Sequence, residues 1–180
     1  MQRREAAMQA LQQSSILGLL DGYSPTVVST LWVDLATESS DIDVICEFHD
    51  PIDFKDDVQT SCQQFEAFHI NSKDDWVLAS FEKDAFQFEI YGCNVPVKQQ
   101  AGYQHFRVMQ RLTMLGGVQF CEAVKFLKRQ GLKTEPAIAR LLGLSGDAYQ
   151  AVAALEQNTD KQLIKLWQNV HGNSLSPDTT

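Results

Sequence analysis

The sequence lacks several features that would assign it to a common protein class. Its four cysteines stand far apart and form no Cys-x-x-Cys pair, so the spacing favours neither a zinc site nor a disulfide framework. No apolar run is long enough to cross a bilayer, and the N-terminus has no unbroken apolar stretch of the kind found in signal peptides. We therefore expect a cytoplasmic protein with reduced thiols and no membrane partner.

Basic residues are also scarce, with 15 Lys and Arg against 23 Asp and Glu and a net charge of −8. An acidic surface repels a phosphate backbone, so we expect no long nucleic acid as a partner. A nucleotide that arrives with divalent cations is compatible with this charge, because the cations reverse the local field. The 180 residues are enough for a compact core with a helical extension.

The residue pattern changes near Gln99. Before it, we predict a helix over the first twenty residues or so, a strand over 26–33 that runs into a polar loop over 34–40, and a crossover helix after Pro51. Further strands are predicted at 41–48, 65–71, 76–81 and 85–91. The pattern after Gln99 is helical to near Val170. This order predicts an α+β fold, in which helices flank a mixed sheet and a helical C-terminal half follows.

The same change of pattern predicts the domain organisation. We expect an α/β core over residues 1–98 and a helical region over 99–171 that packs on it. The polar residues 172–180 are predicted to form a disordered tail.

Two carboxylates share one face of the predicted strand 41–48. Side chains alternate across a strand, so Asp41 and Asp43 lie on one face while apolar residues lie on the other. The strand 85–91 repeats this arrangement, with Glu89 on its polar face. If both strands join one sheet, Glu89 emerges beside Asp41 and Asp43.

Three carboxylates of this kind indicate a particular chemistry. Oxygen ligands suit Mg²⁺ or Mn²⁺, and two such ions can organise phosphoryl or nucleotidyl transfer. An Asp-x-Asp pattern is also common at solvated strand ends, so the pattern alone leaves both interpretations open.

The stretch Ser39–Glu47, placed after a helix and a short strand, resembles the Gly-Ser-Asp-h-Asp-h element of the DNA polymerase β-like nucleotidyltransferase superfamily. Later stretches are similar to one branch of it, small cytosolic proteins of unassigned function. These stretches are Phe88–Gly92 with Pro96–Val97, Tyr103–Phe106, and Leu132–Asp147. The resemblance implies the superfamily's fold. It also implies a reaction that moves a nucleoside monophosphate from a nucleoside triphosphate to a small-molecule or protein hydroxyl.

The resemblance also implies roles for individual residues. It makes Asp41 and Asp43 ligands of two Mg²⁺ or Mn²⁺ ions, with Glu89 as the third catalytic carboxylate. Glu89 would ligate one ion and help to deprotonate the attacking hydroxyl.

The same resemblance assigns triphosphate contacts to Ser29, Thr30 and Ser40. Ser29 departs from the superfamily pattern, which has a glycine that lets the backbone approach the phosphates. Trp32 and Asp34 follow, and both are unusual residues beside a polyphosphate.

A third set of candidates lies on the helix after Gln99. Tyr103, Arg107 and Arg111 share one face at spacings of four residues. They could supply a stacking ring and cations for a nucleotide, or form a solvated edge, and the sequence leaves both open. His105, on a neighbouring stripe, is expected to be a partly buried packing residue.

Two other functions remain open from the sequence. The chain could be a binding or regulatory module that keeps the fold without catalysis, and its helical half could then mediate self-association or bind a protein partner. Ser29, Trp32 and Asp34 favour this alternative. A metal-dependent phosphohydrolase or nuclease could use the same carboxylates, but the lack of a basic tract argues against a nuclease.

Overall fold

The structure is a computed structural model, and it describes residues 2–171. The tail predicted for 172–180 lies outside the described residues. Helix α1 (Gln2–Ser14) and the short helix α2 (Ile16–Leu19) are separated at Ser15, whose backbone is left-handed with φ of 57°. The Ser14 hydroxyl donates to the Leu11 carbonyl and accepts from the Ile16 N–H. This local bonding breaks the single helix that the sequence predicted.

A mixed sheet of five strands follows in the described chain, as predicted. The strands are β1 (Thr26–Val27), β2 (Ile42–Glu47), β3 (Glu66–Lys73), β4 (Trp76–Lys83) and β5 (Phe86–Cys93). Their order in the sheet is β1-β2-β5-β4-β3. β2 and β5 are parallel, and every other neighbouring pair is antiparallel.

Strand β1 is shorter than the sequence predicted. After Val27 the chain leaves the sheet and forms a 3₁₀ turn at Thr30–Trp32. The Val28 N–H still donates to the Asp43 carbonyl, but the Trp32 N–H donates to the Ser29 carbonyl instead of to a strand. The β-branched residues after Val27 thus form a turn, because local hydrogen bonds replace the ladder.

Helix α3 (Pro51–Cys62) packs on the apolar face of the sheet. It begins at Asp50, whose side chain accepts from the N–H groups of Ile52 and Asp53. Its residue Phe54 is fully buried, and a Cβ atom at Gly92 on β5 would stand only 2.2 Å from the Phe54 ring. The close approach explains the glycine, and it leaves the opposite sheet face for polar residues.

The C-terminal half of the described chain is helical, as predicted. Its helices are α4 (Ala101–Arg129), α5 (Thr134–Leu142), α6 (Ala148–Ala154) and α7 (Asp160–His171). A kink interrupts α4 at Gly117, where φ is 59° and ψ is −156°. Lys133 stands at the N-cap position of α5 without a capping side-chain hydrogen bond, and Thr134 is buried in the first turn. No helix within residues 2–171 is long and apolar enough to span a membrane.

The described chain divides into two compact units. The sheet unit comprises residues 2–32 and 38–103, and the helical unit comprises 33–37 and 104–171. The chain therefore passes from the sheet unit into the helical unit and back within a few residues. The predicted division at residues 98 and 99 did not include this excursion.

The helical unit has its own apolar core. Segment 33–37 is part of it, and the Lys128 ammonium donates to the Leu35 carbonyl at 2.8 Å. Buried members of the core include Val33, Leu35, Val108, Leu112, Phe120, Val124, Ile138, Val152 and Leu163. The short segment thus adds two side chains to a core that is built mainly from distant helices.

Candidate functional site

Asp43 and Glu89 lie opposite each other on the parallel strands β2 and β5. Partners in a sheet point to the same face, and neighbouring strands are about 4.8 Å apart. The two partly buried carboxylates therefore leave the sheet side by side. Side-chain alternation predicted this arrangement. The chemical roles of the two residues stay a prediction.

Asp41 directly precedes β2 and is partly buried. Its carbonyl accepts a hydrogen bond of 2.5 Å from the Ser29 hydroxyl, and the Asp43 carbonyl accepts one of 2.9 Å from the Val28 N–H. The loop after β1 therefore lies along the start of β2. This brings the predicted phosphate-contacting loop to the two aspartates.

Ser29 fixes the shape of that loop. It is fully buried, and its hydroxyl accepts from the Leu31 N–H at 3.2 Å while it donates to the Asp41 carbonyl. Next to it, the Thr30 hydroxyl donates to the Ser40 hydroxyl at 3.4 Å. The structure thus brings together Ser29, Thr30, Ser40 and Asp41, and it engages the Ser29 hydroxyl with the backbone.

Glu47, the second acidic residue of β2, forms hydrogen bonds within the fold. Its carboxylate accepts from the Val97 N–H at 2.6 Å and from the Ser24 hydroxyl at 3.4 Å. Nearby, the Gln100 amide donates to the carbonyls of Cys46 and Val95 at 2.8 Å each. These bonds attach the segment after β5 to the far end of β2, away from Asp41 and Asp43.

Arg3 is a neighbour of the site that the sequence did not indicate. Its guanidinium donates to the Ser40 carbonyl at 3.4 Å and lies 4.9 Å from the centre of the Phe86 ring. Arg3 and Ser40 are 37 residues apart, and no short-range pattern signals such a contact.

The predicted cationic face of α4 is divided between the two units. Tyr103 is the last residue of the sheet unit and is partly buried, whereas Arg107 lies in the helical unit and is exposed. Arg111 donates to the Asp160 carboxylate at 2.8 Å and also to the carbonyls of Glu156 and Asn158. Its cation therefore joins parts of the helical unit.

His105 is buried, as expected, but it is also part of a polar contact that the sequence did not indicate. Its Nδ1 lies 3.3 Å from the Glu135 carboxylate, and its Nε2 lies 2.9 Å from the Tyr149 carbonyl. The hydrogen bond to Glu135 raises the pKa of His105, although burial opposes this. Burial alone would raise the pKa of Glu135, but the His105 hydrogen bond, a backbone hydrogen bond and the charges of His105 and Lys128 together outweigh it, so the pKa is lowered. The pair joins α4 and α5, and both pKa shifts favour its charged forms.

The cysteines offer no reactive thiolate. All four are buried free thiols. Burial raises the pKa of Cys46 and of Cys62 to about 12, so both stay protonated near neutral pH.

The donor set near β2 fits a hard divalent cation by its chemistry. In the described part of the chain, no three His, Cys, Asp or Glu side chains form a group already arranged to hold a metal ion. Asp41, Asp43 and Glu89 nevertheless all offer carboxylate oxygens, the donor type that Mg²⁺ and Mn²⁺ prefer.

Comparisons with known proteins identify a family of unassigned activity. Residues 9–155 match the family described as Domain of unknown function (DUF4269). No curated protein and no solved structure matches the chain.

Proposed function

We propose that this chain, which belongs to the DUF4269 family, is a metal-dependent nucleotidyltransferase. It moves a nucleoside monophosphate from a nucleoside triphosphate to a hydroxyl of a small molecule or protein and releases pyrophosphate. The observation that carries the proposal is the position of Asp43 opposite Glu89 on adjacent parallel strands, with Asp41 just before β2. The resemblance to the DNA polymerase β-like superfamily assigns the metal site to the same three residues.

Asp41, Asp43 and Glu89 would hold Mg²⁺ or Mn²⁺. When bound, these cations offset the charge of the phosphates and of the reacting oxygens. Glu89 also accepts the proton of the attacking hydroxyl. Thr30 and Ser40, whose hydroxyls lie together beside Asp41, bind the triphosphate.

A row of polar side chains that crosses the sheet supports a polar substrate. Asp43 is opposite Glu89, Glu89 is opposite Ser80 on β4, and Ser80 is opposite His69 on β3. Residues at such cross-strand positions point to one face. The row extends the carboxylate pair into a surface that could hold the acceptor.

The first experiment is a thermal-stability measurement with Mn²⁺ and each of the four common nucleoside triphosphates. A ligand present at 100 times its Kd stabilises the folded protein by about 2.7 kcal/mol, so the wild-type Tm should rise. Asp43→Asn should abolish this rise because it removes a metal ligand. The matched control is Glu82→Gln, which neutralises an exposed carboxylate on β4 and should keep the full rise. The absence of a wild-type shift with all four nucleotides would contradict the proposal.

Ser29 favours a second candidate function, a binding module without turnover. Its buried side chain occupies the position of the superfamily's glycine, and its hydroxyl is engaged with the backbone. A module of this kind gains stability with Mn²⁺ and nucleotide but releases no pyrophosphate. Pyrophosphate release by the wild-type protein that disappears in Glu89→Gln would exclude the module and support the transferase.

A further inference from the structure

We propose that the acceptor is an alcohol whose hydroxyl is carried on a short arm from a flat apolar ring, and that Tyr91 and Leu78 bind this ring. The inference rests on the proposed function and names the substrate class of the same site. Its starting point is a row of apolar side chains that lies beside the carboxylates on the same face of the sheet.

Tyr91 lies on the sheet face that carries the carboxylates. It follows Glu89 by two residues on β5, so the two side chains leave the strand on the same side, about 6.6 Å apart at the backbone. Leu78 is the partner of Tyr91 on β4, and Ser80 is the partner of Glu89 on the same strand. A polar row and an apolar row therefore lie next to each other across β5 and β4.

The apolar row is accessible on β5 and β4. Tyr91 is 37% exposed, and Leu78 is partly buried. On β2 the same row is covered, because its member Ile45 is buried and a Cβ atom at Gly102, near the start of α4, would stand 3.4 Å from the Ile45 side chain. Tyr91 and Leu78 are therefore the members of this row that a ligand can contact.

Tyr91 offers its ring to a ligand rather than its hydroxyl. The hydroxyl interacts with the thiol of Cys93, which lies two residues further along β5 on the same face. The Tyr91 ring therefore extends along the strand, away from Glu89. A flat apolar ring that packs on Tyr91 stands beyond the reach of the Glu89 carboxylate, so a short arm must carry the hydroxyl back to it.

The chemistry of the transfer places the acceptor on this side of the site. The acceptor oxygen bonds to the α-phosphorus while the bond from that phosphorus to the pyrophosphate oxygen breaks, with the two oxygens in line on opposite sides. Glu89 takes the proton of the acceptor, and pyrophosphate leaves. The loop after β1, which binds the leaving group, lies on the β1 side of the carboxylates, since the Val28 N–H donates to the Asp43 carbonyl. The attacking hydroxyl therefore approaches from the β5 side, where Tyr91 lies.

Fluorine NMR tests whether the ring binds, with para-fluorophenylethanol and the ring-free fluoroethanol as probes in the presence of Mg²⁺. The wild type should bind the first probe and, at the same concentration, leave the second free. Tyr91→Ala should weaken binding of the first probe by about threefold to tenfold, the effect of losing one aromatic contact. Tyr91→Phe keeps the ring and should bind as the wild type does. Tyr149→Ala, the control that removes an exposed tyrosine from α6, should also bind as the wild type does.

Mn²⁺ tests whether the ring lies beside the metal site. When Mn²⁺ replaces Mg²⁺, its unpaired electrons should speed the fluorine relaxation of the bound probe. Asp43→Asn should lose this effect but keep the binding of the probe, because it removes a metal ligand and leaves Tyr91 in place. Electron paramagnetic resonance measures Mn²⁺ binding to the same proteins.

The outcomes separate this inference from the proposed function. Probe binding that is absent from the wild type, or equal in wild type and Tyr91→Ala, would overturn the ring site, and Mn²⁺ binding that depends on Asp43 would leave the proposed function standing. Bound Mn²⁺ without faster fluorine relaxation would also overturn the ring site. A wild type that binds no Mn²⁺ would overturn the proposed function and the acceptor role with it. Leu78→Gln should weaken the probe as Tyr91→Ala does, and it repeats the test from β4 if Tyr91→Ala does not fold.

Discussion

The helical unit and the sheet unit use their charged residues in opposite ways. In the helical unit, Arg111 bonds to Asp160, and His105 bonds to Glu135, so opposite charges join separate helices. In the sheet unit, Asp43 and Glu89 stand side by side with the same charge. Opposite charges in contact favour the folded state, whereas like charges at neighbouring positions disfavour it.

This difference bears on the proposed function. Under that proposal, a bound cation would offset the charges of Asp43 and Glu89. The ion pairs of the helical unit, by contrast, join helices within that unit.

The largest expected effect tests the apolar core of the helical unit. Phe120 is 0% exposed and makes an edge contact with Trp167 at 5.2 Å between ring centres. Phe120→Ala should lower the free energy of unfolding by about 3–5 kcal/mol, because it leaves a cavity in the core. Val118→Ala is the control on the same helix, since Val118 is 78% exposed, and it should change stability by less than about 0.5 kcal/mol. Urea unfolding measures both, and equal losses would contradict the packing of this core.

An intermediate effect compares one carboxylate from each unit. Glu135→Gln should lower the free energy of unfolding by about 1–3 kcal/mol, because it leaves the buried His105 without its charged partner. Glu82→Gln, which changes an exposed carboxylate on β4, should alter stability by less than about 0.5 kcal/mol. If Glu82→Gln were the more destabilising of the two in urea unfolding, the contribution assigned to the His105–Glu135 pair would be wrong.

The smallest expected effect is the pH dependence of the His105–Glu135 pair. Because the folded-state pKa of His105 is raised, its stabilising contribution is fully present below the unfolded value of 6.5 and is lost as the pH rises through the folded-state pKa. The folded-state pKa of Glu135 is lowered, so its contribution is present above the unfolded value of 4.5 and is lost as the pH falls through the folded-state pKa. Lys128, which also lowers the pKa of Glu135, acts in the same direction as His105.

His105→Gln isolates this dependence. Urea unfolding of the wild type should give a free energy that falls as the pH rises above 6.5, and His105→Gln should flatten that part of the profile. Parallel profiles for the two proteins would mean that His105 does not carry a charge in the folded state.

The sequence predicts those parts of the molecule that depend on local periodicity. Strands β2 to β5 follow from alternation, and the adjacency of Asp43 and Glu89 follows once both strands share a sheet. The parts it did not predict depend on distant partners. The Ser29 hydroxyl bonds across 12 residues, and His105 and Glu135 meet only because two helices pack together.

Buried and more exposed residues alternate around segment 33–37, and the sequence-based prediction did not use this alternation. The sequence predicts the end of a strand at Val33 and a polar loop from Asp34. In the structure, Leu31, Val33, Leu35 and Thr37 are all buried, and the residues between them are more exposed. Alternation of this kind is typical of a strand, but these residues leave the sheet. Their burial depends on a core that is formed by helices far along the chain, and a local sequence pattern cannot predict such a contact.

Because segment 33–37 belongs to the helical unit, it affects the order in which the chain folds during translation. Ribosomes add roughly 5–20 residues per second, so Leu35 emerges several seconds before Phe120 and the other helical members of its core. Until then Val33 and Leu35 have no core to enter, although β1 and β2 on either side of them can already pair. The loop between Thr30 and Ser40 therefore reaches its final form only when the last helices have been synthesised. A nascent chain that stops short of them contains Val33 and Leu35 but not the core that buries them.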